Sequence, residues 1–404
     1  MMIRIPIPPR ALVVFAASMA IAGTSAAKPL KVFILAGQSN MQGHAAERTM
    51  EVIGLDPKTA PMLEEMRNAD GTPRVCEEVW ISSIGSSEEE RTGQLTSGFG
   101  ASGRGPKIGP EFTFGIYMHK QLDEPILIIK TAWGGKSLHT DFRSPGSGAF
   151  EFRKEQLEKF AEQGKDVAKI QAEKVAATGH YYRLMIEHVK GVLGDIKRVY
   201  PDYDPDQGHE LAGFVWFQGW NDMVGGDVYP KRGEPGGYDA YSEALVHFIR
   251  DVRKDLDAPT LPFVIGVMGA GGPIDQYPEG KKRYAGIHGG FRKAMAAPAS
   301  LPEFKGNVAA VWTENYWDME LENLRAQDKK LQDEVKAQIK SGKLDKSDEK
   351  ATLEKARAGA FSDRDRQILT DGASNAEYHY LGSAKILGGI GKGFAESLYE
   401  MIEK

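Results

Sequence analysis

Ser39, His379, Asn221 and the paired glycines Gly134 and Gly135 are the residues whose types and surroundings could carry out chemistry. Ser39 lies in Gly37-Gln38-Ser39-Asn40-Met41, just past an apolar, β-branched run, Val32–Ala36. A glycine beside a serine at a strand's carboxyl end permits the sharp turn that holds a nucleophile above a parallel sheet. Ligands of open α/β sheets bind at that edge. A second apolar run leads into Thr131-Ala132-Trp133-Gly134-Gly135-Lys136-Ser137. Its glycines let the backbone come close to a ligand and point N–H groups at it, as an oxyanion hole requires. A third run ends in Trp216-Phe217-Gln218-Gly219-Trp220-Asn221-Asp222, where the Asn221 amide is a further donor and Trp220 could stack on a sugar ring or pack in the core. Phe217 reads as core. Tyr378-His379-Tyr380-Leu381-Gly382-Ser383 precedes the last helix, where a histidine can reach across the sheet edge to a serine. Taken singly, each fragment also reads as an ordinary turn, a Gly-Gly bend or a structural histidine. The chain contains no His-Glu-x-x-His, no pair of cysteines and no ladder of acidic ligands, so a catalytic transition metal is not expected.

The elements that must position these residues are legible in the hydropathy pattern. Val32–Ala36, Ile126–Thr131, Gly213–Phe217, Phe263–Val267 and Val308–Thr313 predict five buried strands. Helical patterns lie between them, which indicates a mostly parallel sheet covered on both faces, a three-layer α/β/α sandwich. Ile386, Ile390, Phe394, Leu398 and Ile402 recur every four residues and predict a final amphipathic helix. The glycines among them, Gly388, Gly389, Gly391 and Gly393, suggest close approach of that helix to the sheet. Residues 42–110, rich in Gly, Ser and charge, read as long loops over one edge. Two charged, helix-prone stretches, 150–180 and 319–358, read as insertions. The second has a narrow apolar stripe and reads as a solvated helix or helical hairpin; partner binding is the lesser alternative for it. No repeat and no flexible linker appears, so one domain over 28–404 is expected.

The start of the chain resembles an export signal. Arg4 and Arg10 precede an apolar stretch, Ala11–Ala22, followed by Gly23-Thr24-Ser25-Ala26-Ala27. The stretch is shorter than the roughly 20 residues a spanning helix needs. Cleavage after Ala26 or Ala27 would leave a periplasmic or secreted protein with no integral membrane segment. Cys76 is the only cysteine, so no intrachain disulfide can form and the apolar residues, 41% of the 404, must supply the core. A net charge of −5 argues against a nucleic-acid partner, which favours a basic face.

In combination the fragments resemble a family. Gly37-Gln38-Ser39-Asn40-Met41, Gly134-Gly135, Gly219-x-Asn221-Asp222 and the C-terminal His379 occur in the order of the four sequence blocks of the SGNH hydrolases. The Gly-Gln-Ser-Asn-Met and Trp-Phe-Gln-Gly wording is similar to the sialate O-acetylesterase and acetylxylan esterase branch, carbohydrate esterase family 6-like. The resemblance implies a serine esterase acting on O-acetylated carbohydrate through an acyl-enzyme, without a cofactor. It makes Ser39 the nucleophile and His379 the base. The oxyanion donors would be the Ser39 N–H, a glycine N–H at Gly134 or Gly135 and the Asn221 amide. Gln38, Gln218 and Trp220 would contact substrate. Two positions depart from the pattern. The usual aspartate three residues before the histidine is Ala376, with Glu377, Asn375 and Asp371 nearby; Glu377 is taken as the acid. The usual Gly-Glu of the third block is Gly219-Trp220. A relative that binds carbohydrate without catalysis is the alternative, resting on that missing aspartate.

Overall fold

The computed structural model describes residue 2 and residues 28–403, so the expected signal segment lies outside the described residues. Among the described residues there are nine strands: β1 (Leu30–Gly37), β2 (Ala45–Ala46), β3 (Cys76–Gly85), β4 (Arg91–Leu95), β5 (Lys107–Ile108), β6 (Ile126–Ala132), β7 (His209–Phe217), β8 (Phe263–Val267) and β9 (Val308–Trp312). Seven form the main sheet in the order β4-β3-β6-β1-β7-β8-β9, all parallel except the β3–β4 pair; β2 and β5 form a small antiparallel ladder. The five expected strands are all in the sheet. The sheet is two strands wider than expected because part of the 42–110 segment, read as loop, supplies β3 and β4. In β4 the sequence Arg-Thr-Gly-Gln-Leu has no apolar run to betray an edge strand.

Thirteen helices flank or extend this sheet. The first six are α1 (Ser39–Gln42), α2 (Ala60–Met66), α3 (Pro110–Leu122), α4 (Lys154–Glu162), α5 (Val167–Ala177) and α6 (His180–Gly194). Then follow α7 (Trp220–Val224), α8 (Asp239–Asp255), α9 (Ala285–Ala296), α10 (Met319–Lys340), α11 (Glu349–Ala360), α12 (Asp363–Asp371) and α13 (Ala384–Ile402). Alternation along the strands assigns the two faces. Phe33 meets Phe114 of α3, and Phe217 meets Phe394 of α13, while Trp216 on the other face packs 4.3 Å from Phe248 of α8. Each such buried side chain contributes about 1.5–3 kcal/mol. The α13 glycines serve a different neighbour from the one expected. A Cβ on Gly391 would sit 2.1 Å from the Pro110 carbonyl oxygen, and Thr113 Oγ1 donates to Gly388 O at 2.7 Å. Gly388 and Gly391 let α13 pack tightly on α3, helix on helix, while Gly389 and Gly393 face Tyr316. Among the described residues no helix is long and apolar enough to cross a membrane.

An ion pair is built into the interior. Lys130 in β6, 1% exposed, pairs with the fully buried Glu111 at 2.6 Å and donates to the carbonyls of Gln42 (2.9 Å) and Phe99 (3.0 Å). Burial pushes the Lys130 ammonium down from its ordinary pKa, and Glu111 opposes that shift. The Gln42 carbonyl belongs to α1, so this ion pair supports the turn that carries Ser39.

Candidate active site

The chain runs from β1 outward to β3 and β6 on one side, then to β7, β8 and β9 on the other. The carboxyl ends of β6, β1 and β7 therefore flank a topological switch point, where open α/β sheets bind ligands. Ser39 is the first residue of the one-turn helix α1 directly after β1. Gly37 makes that turn possible, since a Cβ there would lie 2.2 Å from the Phe217 carbonyl oxygen of the adjacent strand. Ser39 is 6% exposed, and no acceptor faces its N–H among the described residues.

Side-chain amides from β1 and β7 are joined across the switch point. Gln38 Nε2 donates to Asn221 Oδ1 at 3.2 Å and approaches Ser39 Oγ at 3.4 Å. Gln38 Oε1 accepts from Gln218 Nε2 (3.2 Å) and from the Gly219 N–H (3.1 Å). Asn221 Nδ2 in turn donates to Gly135 O at 3.0 Å. Both ends of the Asn221 amide are thereby fixed, and its second N–H is left for a ligand. Gln38 and Gln218, expected at the substrate, are instead buried at 1% and 2% and saturated by protein partners. Their work is to hold Asn221 and Ser39 in register.

Gly134 lies beside the serine: a Cβ there would be 3.8 Å from Ser39 Cβ. Its N–H donates to Ser86 Oγ at 2.9 Å, and Ser86 Oγ donates to Gln42 Oε1 at 3.3 Å. Gly135 binds Asn221 through its carbonyl, and its N–H has no protein acceptor among the described residues. Of the two glycines, Gly135 has the free donor.

Asp222 was not singled out as a site residue, yet it organises this edge. It is fully buried and accepts four hydrogen bonds. Leu138 N (2.8 Å) and Gln218 Nε2 (2.6 Å) donate to Oδ2; His139 N (3.1 Å) and Tyr229 OH (3.0 Å) donate to Oδ1. The loop after Gly134-Gly135 is thereby clamped to α7. The sequence signal was its place beside Asn221, but nothing local reveals that its donors come from residues 138 and 139.

His379 comes from the turn between α12 and α13, which packs against α1. His379 Nδ1 lies 3.1 Å from Asn375 Oδ1, an oxygen that also accepts the Ala376 N–H at 2.7 Å. That second bond fixes which end of the amide faces the ring, so Nδ1 carries the proton and Nε2 keeps its lone pair, the tautomer a base requires. Glu377, expected as the acid, makes no hydrogen bond to His379 and pairs with Lys281 at 2.8 Å. Asp371 is engaged with Arg48 at 3.3 Å. The group orienting His379 is thus an amide, because the chain turns back on itself after Ala376 and brings position 375, rather than 376 or 377, to the ring. Among the described residues Ser39 Oγ and His379 share no hydrogen bond in this ligand-free arrangement, in which such contacts are often long.

The ring is held on both sides. His44 stacks parallel to it with centroids 4.0 Å apart, and exposed Tyr378 meets it edge-on at 4.5 Å. Tyr380 is fully buried, receiving the Gly269 N–H at 2.7 Å and sharing a hydrogen bond with Thr313 Oγ1 at 2.6 Å. Tyr380 and Leu381 both adopt left-handed backbone (φ 50° and 60°), which costs about 1–3 kcal/mol each for such residues. Backbone bonds of Leu381 to Ser374, Asn375 and Ala376 hold them there. Burial lowers His379 to a pKa of about 4, and burial together with the neighbouring His379 lowers His44 to about 3. Both rings are therefore neutral at ordinary pH.

Trp220 is half-buried and lies 5.6 Å from Tyr378, forming one wall of a cavity of about 470 Å³ beside His379. Chemically the cluster offers a hydroxyl at the sheet edge, a neutral imidazole, and backbone and amide donors free to face a developing oxyanion.

Among the solved structures that resemble the chain, two do so at low identity. One is a protein of Arabidopsis thaliana, 17% identical over 70% of this chain and 86% of its own, with a TM-score of 0.37. The other is a carbohydrate acetylesterase from Xanthomonas citri, 14% identical, TM-score 0.37, covering 69% of this chain and 49% of its own length. This chain therefore matches about half of the Xanthomonas protein. No curated protein matches the chain. The profile of the sialic acid-specific acetylesterase family of carbohydrate esterases matches residues 29–296, a span that holds Ser39, Gly134, Gly135 and Asn221. The chain belongs to that family and is a carboxylic ester hydrolase, a carbohydrate acetylesterase.

Proposed function

We propose that the protein is an exported serine esterase that removes O-acetyl groups from carbohydrate, either a polysaccharide such as acetylated xylan or a sialic-acid-like sugar, through an acyl-enzyme. The observation that carries the reading is the position of Ser39 at the switch point, linked through Gln38 to an Asn221 amide with a free donor. In this route His379 Nε2 takes the Ser39 proton as Oγ attacks the acetyl carbonyl. The Ser39 N–H, the Gly135 N–H and Asn221 Nδ2 stabilise the tetrahedral oxyanion, and the sugar alkoxide leaves with the proton from His379. Water then attacks the acetyl-serine by the same steps in reverse. Treatment with a fluorophosphonate is expected to label Ser39 stoichiometrically in a protein that releases acetate from acetylated xylan. Absence of both labelling and acetate would overturn the reading.

The Asn375 contact favours a second reading, a carbohydrate-binding relative without turnover, because an amide stabilises an imidazolium less than a carboxylate does. The two separate on pH. A base of pKa about 4 gives a kcat/KM that is flat above that value and falls as pH drops through it. Both His44 and His379 have folded-state values below their ordinary 6.5, so the folded state also loses stability as pH falls from 6.5 through 4 and 3. Asn375→Asp puts a negative charge at Nδ1. It is expected to move the acid limb of the pH–rate profile upward and to raise the plateau about tenfold, the difference between a neutral and a charge-assisted hydrogen bond. An unmoved limb would rule out His379 as the base.

A further inference from the structure

One cavity opens at the Ser39 cluster, a second begins next to it and a third follows from the second; the two charged insertions wall two of the three. The first, about 440 Å³, opens at Gly135 and Asn221 and is closed by Phe152 and by Ile170, Glu173 and Lys174 of α5. The second, about 470 Å³, begins at Trp220, the chain neighbour of Asn221, and continues along Tyr378, Tyr277 and Tyr284. The third, about 690 Å³, lies among α10, α11 and α12, and it shares Lys281 and Glu377 with the second. Glu377 is thus a partition: bound to Lys281, which also holds Glu322 of α10 at 2.9 Å, it stands between the cavity beside His379 and the cavity of the helical segment.

The lining chemistry changes along this path. Among the described residues six large apolar side chains are exposed, and three of them, Val224, Tyr284 and Tyr378, line the middle cavity. Exposed apolar groups gathered at one concavity mark a binding surface. The tilted Trp220–Tyr378 pair and the Tyr284–His288 stack (5.9 Å) offer flat faces suited to the apolar side of a pyranose ring. The third cavity is polar, and each of its acids is already neutralised. Arg357 holds Asp328 in a two-pronged pair (2.6 and 2.7 Å) and also meets Glu354, while Lys281 holds Glu322 and Glu377. Arg325 alone among the lining cations has no acidic or carbonyl partner among the described residues. Its guanidinium is therefore available to hydroxyl, ring or carboxylate oxygens of a ligand. Together the three cavities exceed the roughly 300–1,000 Å³ typical of a small-molecule site.

We propose that the helical segment 319–371 is part of the substrate cleft: its cavity continues the pocket beside His379 and binds further sugar residues of an O-acetylated polysaccharide. This rests on the esterase reading for the position of the acetylated residue, but its test does not depend on turnover. The test is the affinity of full-length Ser39→Ala protein for acetylated xylan fragments of two and six sugar residues, measured by calorimetry with and without Arg325→Ala. The six-residue fragment is expected to bind at least tenfold more tightly than the two-residue one, and Arg325→Ala is expected to erase most of that ratio. Arg325 is exposed and carries no structural bond, so its replacement leaves the fold intact. Equal affinities for the two fragments, no binding of either, or a length ratio unaffected by Arg325→Ala would overturn the proposal. Length-dependent binding by a wild-type protein that releases no acetate would instead keep the cleft and discard the esterase reading.

Discussion

Ser39→Ala is expected to lower acetate release from 4-nitrophenyl acetate or acetylated xylan by about 10⁴- to 10⁶-fold. The effect is large because in the proposed route the hydroxyl is the group that changes bonds, and no neighbour can take its place. Thr131 is fully buried in β6, and Ser86 Oγ is occupied between Gly134 and Gln42. The oxyanion donors are backbone N–H groups and the Asn221 amide, all retained in the variant, so a small residual rate is expected from their action on a bound water. Folding should be little changed, because Oγ has a single long contact, with Gln38 at 3.4 Å. The measurement is initial-rate acetate release at saturating substrate beside a thermal melt. A variant that retains wild-type turnover would remove Ser39 from the mechanism.

The second large effect falls on Asp222. Asp222→Ala withdraws one carboxylate from four donors, two of them main-chain N–H groups at Leu138 and His139. A buried donor left unpaired costs about 1–3 kcal/mol, and water entering the cavity restores part of that, so a loss of about 3–5 kcal/mol is expected. Denaturant unfolding should show a lower midpoint with an unchanged slope. Activity is expected to fall as well, because the loop released is the one that carries Gly135, the partner of Asn221. Asp222→Asn keeps the shape but turns an NH₂ toward donors, so it recovers only part of either loss. A midpoint within experimental error of wild type for Asp222→Ala would refute the clamp.

Much of the architecture is legible in the residues, and the gaps have physical causes. The five strands β1, β6, β7, β8 and β9 each contain a continuous apolar run, so each is visible as such, and α13 is visible from its four-residue apolar spacing. The strand β4 is the sheet edge and only its last residue, Leu95, is buried, so Arg91–Leu95 has the composition of a loop. At the site the pattern is similar. Ser39, the glycine pair and Asn221 sit at strand ends, and each strand end is fixed by its own sequence. The partner of His379 is not fixed that way. Tyr380 and Leu381 are poor candidates for left-handed backbone, and it takes the buried anchors of Tyr380 at Gly269 and Thr313 together with the Leu381 backbone bonds to Ser374, Asn375 and Ala376 to hold them so. A search by spacing from the histidine consequently selects Glu377, whose carboxylate belongs to Lys281. Gln38 and Gln218 are misread for the related reason that burial cannot be judged from an amide's position in a motif.

The ammonium of Lys130 ties together three pieces of chain far apart in sequence: the end of the Ser39 turn, the Phe99 loop and the start of α3. Were the Ser39 turn to detach alone, it would strip an oxygen from a cation that has no route to solvent. A partial opening at Ser39 therefore costs a charge-assisted hydrogen bond, about 1.5–3 kcal/mol. Ser39 thus has no private softness, and in the proposed route adaptation to differently shaped glycans is left to the cavity walls farther out.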